Sequence, residues 1–226
     1  MTPEFIKAEP MLVPRICNSI ALLDLDIHPE RVPAEFASSS ADTLRKHHAG
    51  RRQLARLLRR RFDLQRDEFP SHVELNQQLS LVGWEALCRG LDLTAKVLLW
   101  PRVVRSIVRE SHQEAQRVLG AADYAFVTKT GPLLIRENQV SALKSALHGE
   151  HGSMEQSYAQ VHRFALGQLW SGESRSFRTR VELKFPPDIE ITDDMESERA
   201  IRQQLARLMR RILVQHVDPE VQECFA

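Results

Sequence analysis

The sequence predicts a mainly α-helical fold, a single globular domain of roughly eight helices with one small β element near residues 177–185. Three observations carry this. Apolar residues recur at helical spacing along much of the chain, as in Leu75, Leu79, Val82 and Ala86 or Ile201, Leu205, Leu208 and Ile212. Helix-start chemistry precedes two of the stripes: Ser71 with Glu74, and Ser153 with Gln156, have the spacing at which each side chain satisfies the other's free backbone donor. Alternation of apolar and polar residues is clear only from Phe177 to Phe185.

The elements follow in order. Met11 to Leu25 is apolar enough for a short buried helix, ended by Pro29 and Pro33, and Glu30 to Ser40 reads as a loop. Ser40 or Asp42 caps the next helix, which runs to about Phe62 with Leu44, Leu54, Leu57 and Leu58 as its apolar residues. Pro70 and Ser71 open a third helix, and Gly90 is its expected stop. Thr94 to Trp100 makes one or two apolar turns, and Pro101 stands as the first residue of a new helix because it has no amide hydrogen to lose. Val104, Ile107, Val108, Ala115 and Val118 form that helix's buried face, and Gly120 closes it. Ala121 to Val127 is a short helix, Thr130-Gly131-Pro132 a turn, and Asn138 the cap of a helix ending near Gly149.

From Ser153 a further helix carries Tyr158, Val161, Ala165 and Leu169 on one stripe and ends at Gly172. Phe177, Thr179, Val181, Leu183 and Phe185 then alternate with Arg178, Arg180, Glu182 and Lys184, the pattern of a half-buried strand, stopped by Pro186-Pro187. Its pairing partner is expected in Phe126 to Thr130 or Leu133 to Ile135; otherwise one edge stays open to a strand from another protein. The last helix runs from about Asp193 to His216, with acids in its first turn and Arg210 and Arg211 near its end, complementing the helix dipole. Ser38-Ser39-Ser40 is the weakest join, so the chain divides into an N-terminal helix and loop (1–40) and a helical domain (41–226), or forms one continuous domain over 1–226.

With 226 residues, 42% of them hydrophobic, the chain can bury a core without covalent staples. A net charge of +1 implies no polyanionic partner by itself. Cys17, Cys88 and Cys224 are widely spaced and odd in number, which points to a reducing compartment with thiols as small apolar fillers. The start, MTPEFIKAEP, lacks the basic and apolar runs of a signal peptide, so a cytoplasmic protein is expected.

The strongest charge feature is Arg45 to Arg61, where Arg45, Lys46, Arg51, Arg52, Arg56, Arg59, Arg60 and Arg61 stand with no acid between Thr43 and Phe62. Arg52, Arg56, Arg59 and Arg60 cover much of one helix side. They are either a docking surface for an acidic protein or phosphate backbone, or a solvated face whose stems cover apolar surface. No aromatic residue is interleaved for base stacking. The counterweight is the acidic run Asp188, Glu190, Asp193, Asp194, Glu196 and Glu198, which lacks the residue order of a calcium loop. His148 and His151 flank Gly149-Glu150 without an evident third metal ligand. Trp84, Trp100 and Trp170 read as core anchors, with an exposed hot spot as the alternative. Nucleophile elbows, phosphate loops, HExxH and dinucleotide fingerprints are absent from the sequence, so no catalytic, cofactor or metal residue is expected.

The segments LLWPRVVRSIV (Leu98 to Val108), VLGAADYAFVTKTGPLL (Val118 to Leu134) and RTRVELKFPP (Arg178 to Pro187), with Trp170 and a final helix, resemble the SctK family, the K-subunits of type III secretion sorting platforms. The resemblance covers about two thirds of the chain, from about Leu75 to Leu213, and leaves out the arginine-rich helix. It implies a mostly helical, non-enzymatic adaptor without cofactor. Such an adaptor joins the cytoplasmic domain of the inner-membrane ring protein to the cytosolic, C-ring-like pod protein, and lies at the cytosolic face of the inner membrane only through those partners. Either Arg52, Arg56, Arg59 and Arg60, or Arg102 and Arg105, are then the residues expected to meet acidic surface on a partner. The rival reading is a helical DNA-binding regulator, because Leu91 to Arg109 loosely imitates a helix-turn-helix. A secretion chaperone, a third class, calls for a more acidic chain and a larger sheet.

Overall fold

The structure is a computed structural model and describes residues 6–7, 10–21, 23–64, 73–105, 109–137, 152–191 and 198–225. In chain order its helices are α1 (Leu12–Ala21), α2 (Ser39–Arg45), α3 (His48–Arg61), α4 (Leu75–Leu79), α5 (Trp84–Leu98), α6 (Trp100–Arg105), α7 (Arg109–Leu119), α8 (Ala121–Lys129), α9 (Gly131–Glu137), α10 (Met154–Trp170), α11 (Arg175–Glu182) and α12 (Arg199–Ile212). Short 3-10 turns stand at Leu23–Leu25, Pro29–Arg31, Ala34–Phe36 and Pro219–Cys224, and a π-helical turn at Leu213–Val217. The fold is mainly α, and among the described residues there is no strand. Two compact units divide the chain: Met1–Cys88 with Glu173–Ile191 and Asp218–Ala226, and Arg89–Gly172 with Thr192–Val217.

In the first unit, Leu12 and Ile16 of α1 are buried, and the expected helix ends at Ala21 instead of Leu25, giving way to 3-10 turns. The single helix expected up to Phe62 is two, α2 and α3, broken at Lys46–His47. Its cap is Ser38, whose Oγ accepts from the Ala41 amide at 3.4 Å. The break depends on Gly50: a Cβ there would lie 2.1 Å from the Leu44 carbonyl oxygen, so only glycine lets α3 fold back this closely on the end of α2. Leu23, Ile27, Ala55, Leu58, Leu64 and Leu183 form the core beneath, with Val32, Phe36 and Phe62 packed against it. At α4, the Glu74 amide donates to Gln77 Oε1 at 2.9 Å in a capping box. The Asn76 and Gln77 side-chain amides each donate to one oxygen of Glu173, both at 2.8 Å. The Ser71–Glu74 box and the expected helix start at Pro70 lie outside the described residues.

The expected β element is a helix. Residues Arg175–Glu182 form α11, capped by Ser174, whose Oγ accepts from the Phe177 amide at 3.3 Å. Phe177, Val181, Leu183 and Phe185 are buried, as the alternation demanded. A strand of that kind also needs the intervening residues in solvent, and two are buried instead. Arg180 Nη1 donates to the Ser19 carbonyl oxygen at 3.5 Å, and Lys184 Nζ donates to the Val82 carbonyl oxygen at 2.7 Å. Phe177, Arg180, Val181 and Lys184 have helical spacing, so two periods coexist in the segment and the serine cap decides between them. The expected strand partners are helical as well, in α8 and α9. Beyond α11, Arg31 holds the chain by donating to the carbonyl oxygens of Phe185 at 2.7 Å and Pro186 at 2.9 Å.

In the second unit, the helix expected from Pro101 to Gly120 is helical at Trp100–Arg105 and Arg109–Leu119, and residues 106–108 lie outside the described residues. Val103, not Val104, faces inward; Val104 is 54% exposed, and Ile107 and Val108 lie outside the described residues. Gly120 does end α7, at a φ of 79° that favours glycine. Thr130-Gly131-Pro132 is not a loop turn: Gly131 begins α9, and Pro132 sits in its first turn, where no intrahelical donor is required. The α10 capping box forms as expected, with Ser153 Oγ accepting from the Gln156 amide at 3.2 Å and Gln156 Oε1 accepting from the Ser153 amide at 3.0 Å. Helices α10 and α12 pack together, and Val161, Ala165, Leu169, Ile201, Leu205, Leu208 and Ile212 on them are all buried. The Glu198 amide, at the cap of α12, donates to Gln168 Oε1 at 3.2 Å. Gly90 is not a helix stop. It is buried inside α5, and a Cβ there would lie 2.5 Å from Leu213 Cδ2, so its role is to leave room for the Leu213 side chain against the helix. Asn138 to Gly149 and Asp193 to Glu196 fall outside the described residues.

Candidate docking surface

The α3 sequence, HAGRRQLARLLRRR, contains no acid, so no cation on it is neutralised within the helix. Successive helical residues are turned by about 100°, which sets the face of each. Gly50, Leu54, Ala55 and Leu58 share the buried face. Arg52, Arg56 and Arg60, four residues apart, fall on the opposite side and are exposed. They rise about 6 Å apart along the helix, about 12 Å in all.

The neighbouring cations are engaged inside the unit. Arg45 pairs with Asp42 at 2.9 Å, donates to the Phe36 carbonyl oxygen at 3.1 Å and approaches Asp24 at 3.8 Å. Arg51 Nε donates to the Arg45 carbonyl oxygen at 2.5 Å. Arg61 lies 3.7 Å from Glu35. By contrast, Arg52 and Arg60 make no side-chain hydrogen bond or ion pair among the described residues, and Arg56 donates only to the neutral Gln53 amide, at 3.4 Å. Arg59 is half-buried at the flank of the stripe and does have a partner.

The second candidate cluster, on α6, is arranged differently. Arg102 is half-buried and donates to Ser157 Oγ and to the Gly152 carbonyl oxygen, tying α6 to the start of α10. Arg105 is exposed and also has a partner. Thus Arg52, Arg56 and Arg60 are brought into one line, whereas Arg102 is occupied by its own unit.

Two charge networks, one partly buried and one in the interior, escaped sequence reasoning. In the second unit, Arg89 donates to both oxygens of Asp123, at 2.8 and 2.5 Å, and to Asp92 at 2.6 Å. Lys96 donates to Asp123 at 2.6 Å and pairs with Asp92 at 3.0 Å, and the Tyr158 hydroxyl donates to Asp92 at 2.8 Å. The hydrogen bonds from Arg89 dominate in holding the Asp123 carboxyl down at about 2, while burial foremost pushes the Tyr158 hydroxyl up. A visible cue was Arg89, Asp92 and Lys96 at helical spacing, two cations and an acid on one side of a helix whose Leu87, Leu91 and Ala95 are buried. In the first unit, Lys184 pairs with Asp26 at 2.5 Å, and burial pushes each toward its neutral form. Sequence gives no cue to that pair. These groups are saturated by one another and bind the helices together.

Of the tryptophans, Trp170 is a fully buried anchor, whereas Trp84 and Trp100 are half-buried, Trp84 edge-on to His28 with ring centroids 4.9 Å apart. Cys224 is a buried filler, Cys88 is half-buried and Cys17 is exposed; burial pushes the Cys88 thiol up to about 11. Asp188 and Glu190 are exposed. His148 and His151 lie outside the described residues, and among the described residues no three His, Cys, Asp or Glu side chains come together as a metal site would require. No helix among the described residues is long and apolar enough to cross a membrane. No family model, curated protein or solved structure matches this chain.

Proposed function

We propose that this chain is a non-enzymatic adaptor of a type III secretion apparatus, joining the cytoplasmic domain of the inner-membrane ring protein to the cytosolic pod protein of the sorting platform. The observation that carries the reading is the arginine stripe of α3. Three cations without a carboxylate partner among the described residues stand on a helix whose other face is locked into a core. Exposed cations in such a row orient and accelerate docking of a partner of opposite sign. The segment Trp100 to Leu134, which carries the sequence resemblance, supports the reading as a run of helices, α6 to α9. The chain reaches the membrane face through its partners.

Co-purification tests this. Affinity-tagged full-length chain is expected to retain the ring protein's cytoplasmic domain and the pod protein, each supplied as purified protein. The R52E/R56E/R60E variant is expected to lose at least one of them. Retention of neither by the unaltered chain overturns the reading. Salt-dependent retention of the chain on a DNA column at physiological ionic strength would move the assignment to the DNA-binding rival.

A further inference from the structure

We propose that the outer face of α3 receives an acidic helix, with Arg52, Arg56 and Arg60 each taking one of three carboxylates spaced four residues apart on it. The proposal deepens the adaptor reading and rests on it, since it names the chemistry of the segment that such a partner presents. Spacing comes first. The three arginines repeat every four residues on one side of a fourteen-residue helix, and carboxylates at the same interval on an opposed helix repeat at the same rise of about 6 Å. The second point is availability. Arg45, Arg51 and Arg61 are held by Asp42, by the Arg45 carbonyl oxygen and by Glu35, which leaves this row as the arginines of α3 exposed without an anionic partner among the described residues. Third, all three are arginines, whose planar fork grips a carboxylate with two parallel hydrogen bonds, where lysine offers only a point charge.

Rigidity adds to this. Leu54, Ala55 and Leu58 anchor the inner face of the helix, and Gly50 fixes its start against Leu44, so the backbone carrying the row is already ordered before a partner arrives. The same geometry disfavours nucleic acid. Duplex binding commonly draws on about 6–10 phosphate contacts, and a single line of three cations on a chain of net charge +1 supplies fewer. No aromatic side chain stands between Arg52 and Arg60 to stack a base. A short acidic helix needs only the width of one helix and the length of two turns.

The probe is a fluorescein-labelled alanine-rich peptide of about 18 residues with three glutamates four apart, set against a peptide of the same composition in scrambled order. Anisotropy with the full-length chain is expected to show the patterned peptide binding about fivefold or more tighter than the scrambled one, weakening with salt. R52E/R56E/R60E is expected to lose about tenfold or more, and the milder R52Q/R60Q about threefold, with unchanged melting temperatures. Equal binding of the two peptides, or binding unchanged in variants that melt normally, overturns the proposal. So does tighter binding of a short DNA duplex than of the patterned peptide. If the peptide behaves as expected while neither secretion partner is retained, the acidic-helix surface stands and the secretion assignment falls. If both partners are retained and the peptides are not distinguished, the adaptor reading stands and the docking face lies elsewhere.

Discussion

Lys184 and Asp26 form an ion pair of 2.5 Å in the interior of the first unit, with Lys184 only 1% exposed. The ammonium also donates to the Val82 carbonyl oxygen at 2.7 Å, and Ser19 Oγ donates to Asp26 at 3.3 Å, so each charge is compensated by neighbours from the protein itself. Removing one partner strands the other. Lys184→Met is expected to lower the unfolding free energy by about 3–5 kcal/mol. The double variant Lys184→Met, Asp26→Asn is expected to recover much of that loss, because the uncompensated carboxylate goes too. Urea titration of the two variants beside the parent chain checks both. A double variant no better than the single would show that the pair is not the origin of the loss.

Asp123 links acid stability to the second network. Its folded carboxyl sits at about 2 against an ordinary 3.8, so between those values the folded chain binds fewer protons than the unfolded one. The contribution is fully present above about pH 4 and is lost as pH falls toward about 2, a difference of about 1–2 kcal/mol. Asp123→Asn is expected to flatten the fall in melting temperature over that window. An acid limb of unchanged slope in the variant would remove Asp123 from the account.

Gly90 sits where α5 meets the buried Leu213 side chain, and an alanine Cβ would fall 2.5 Å from its Cδ2. Because Leu213 is fully buried, it has little room to yield. Gly90→Ala is therefore expected to destabilise by about 1–3 kcal/mol, against the gain alanine brings to an open helix. Adding Leu213→Val should relieve part of the clash, which a thermal melt of the double variant reads.

The two arginine clusters differ in what they hold together. Arg102→Ala removes bonds to Ser157 and Gly152 and is expected to cost about 1–2 kcal/mol. Arg52→Ala and Arg60→Ala remove no hydrogen bond or ion pair among the described residues and are expected to change stability by less than about 0.5 kcal/mol. Denaturant midpoints for the three single variants decide it. An Arg52 variant as unstable as the Arg102 variant would make the stripe a structural feature.

Helix spacing made the inner faces of α10 and α12 legible, because Val161, Ala165 and Leu169, or Ile201, Leu205, Leu208 and Ile212, admit only one period and one buried side. The Ser153–Gln156 box was legible for a similar reason: its bonds close within one turn. Phe177 to Phe185 was not, since its apolar residues fit two periods at once. Nor was the close approach at Gly90, whose neighbour Leu213 lies far along the chain, or the break at Gly50, which depends on how α3 folds back on Leu44. The arginines of α3 could be counted in the sequence, but not sorted into those held by Asp42 or Glu35 and those turned outward.

What the sequence by itself determined is the helical class, the inner faces of the long helices and the basic character of α3, because these depend on local periodicity and local capping. Tertiary structure alone decided that Arg180 and Lys184 lie inside, that α2 and α3 are separate, and that Arg52, Arg56 and Arg60 are the exposed α3 arginines without a carboxylate partner among the described residues. A charged side chain's place depends on which partner reaches it. That partner comes from a distant part of the chain, as Asp26 does for Lys184 and Asp123 for Lys96.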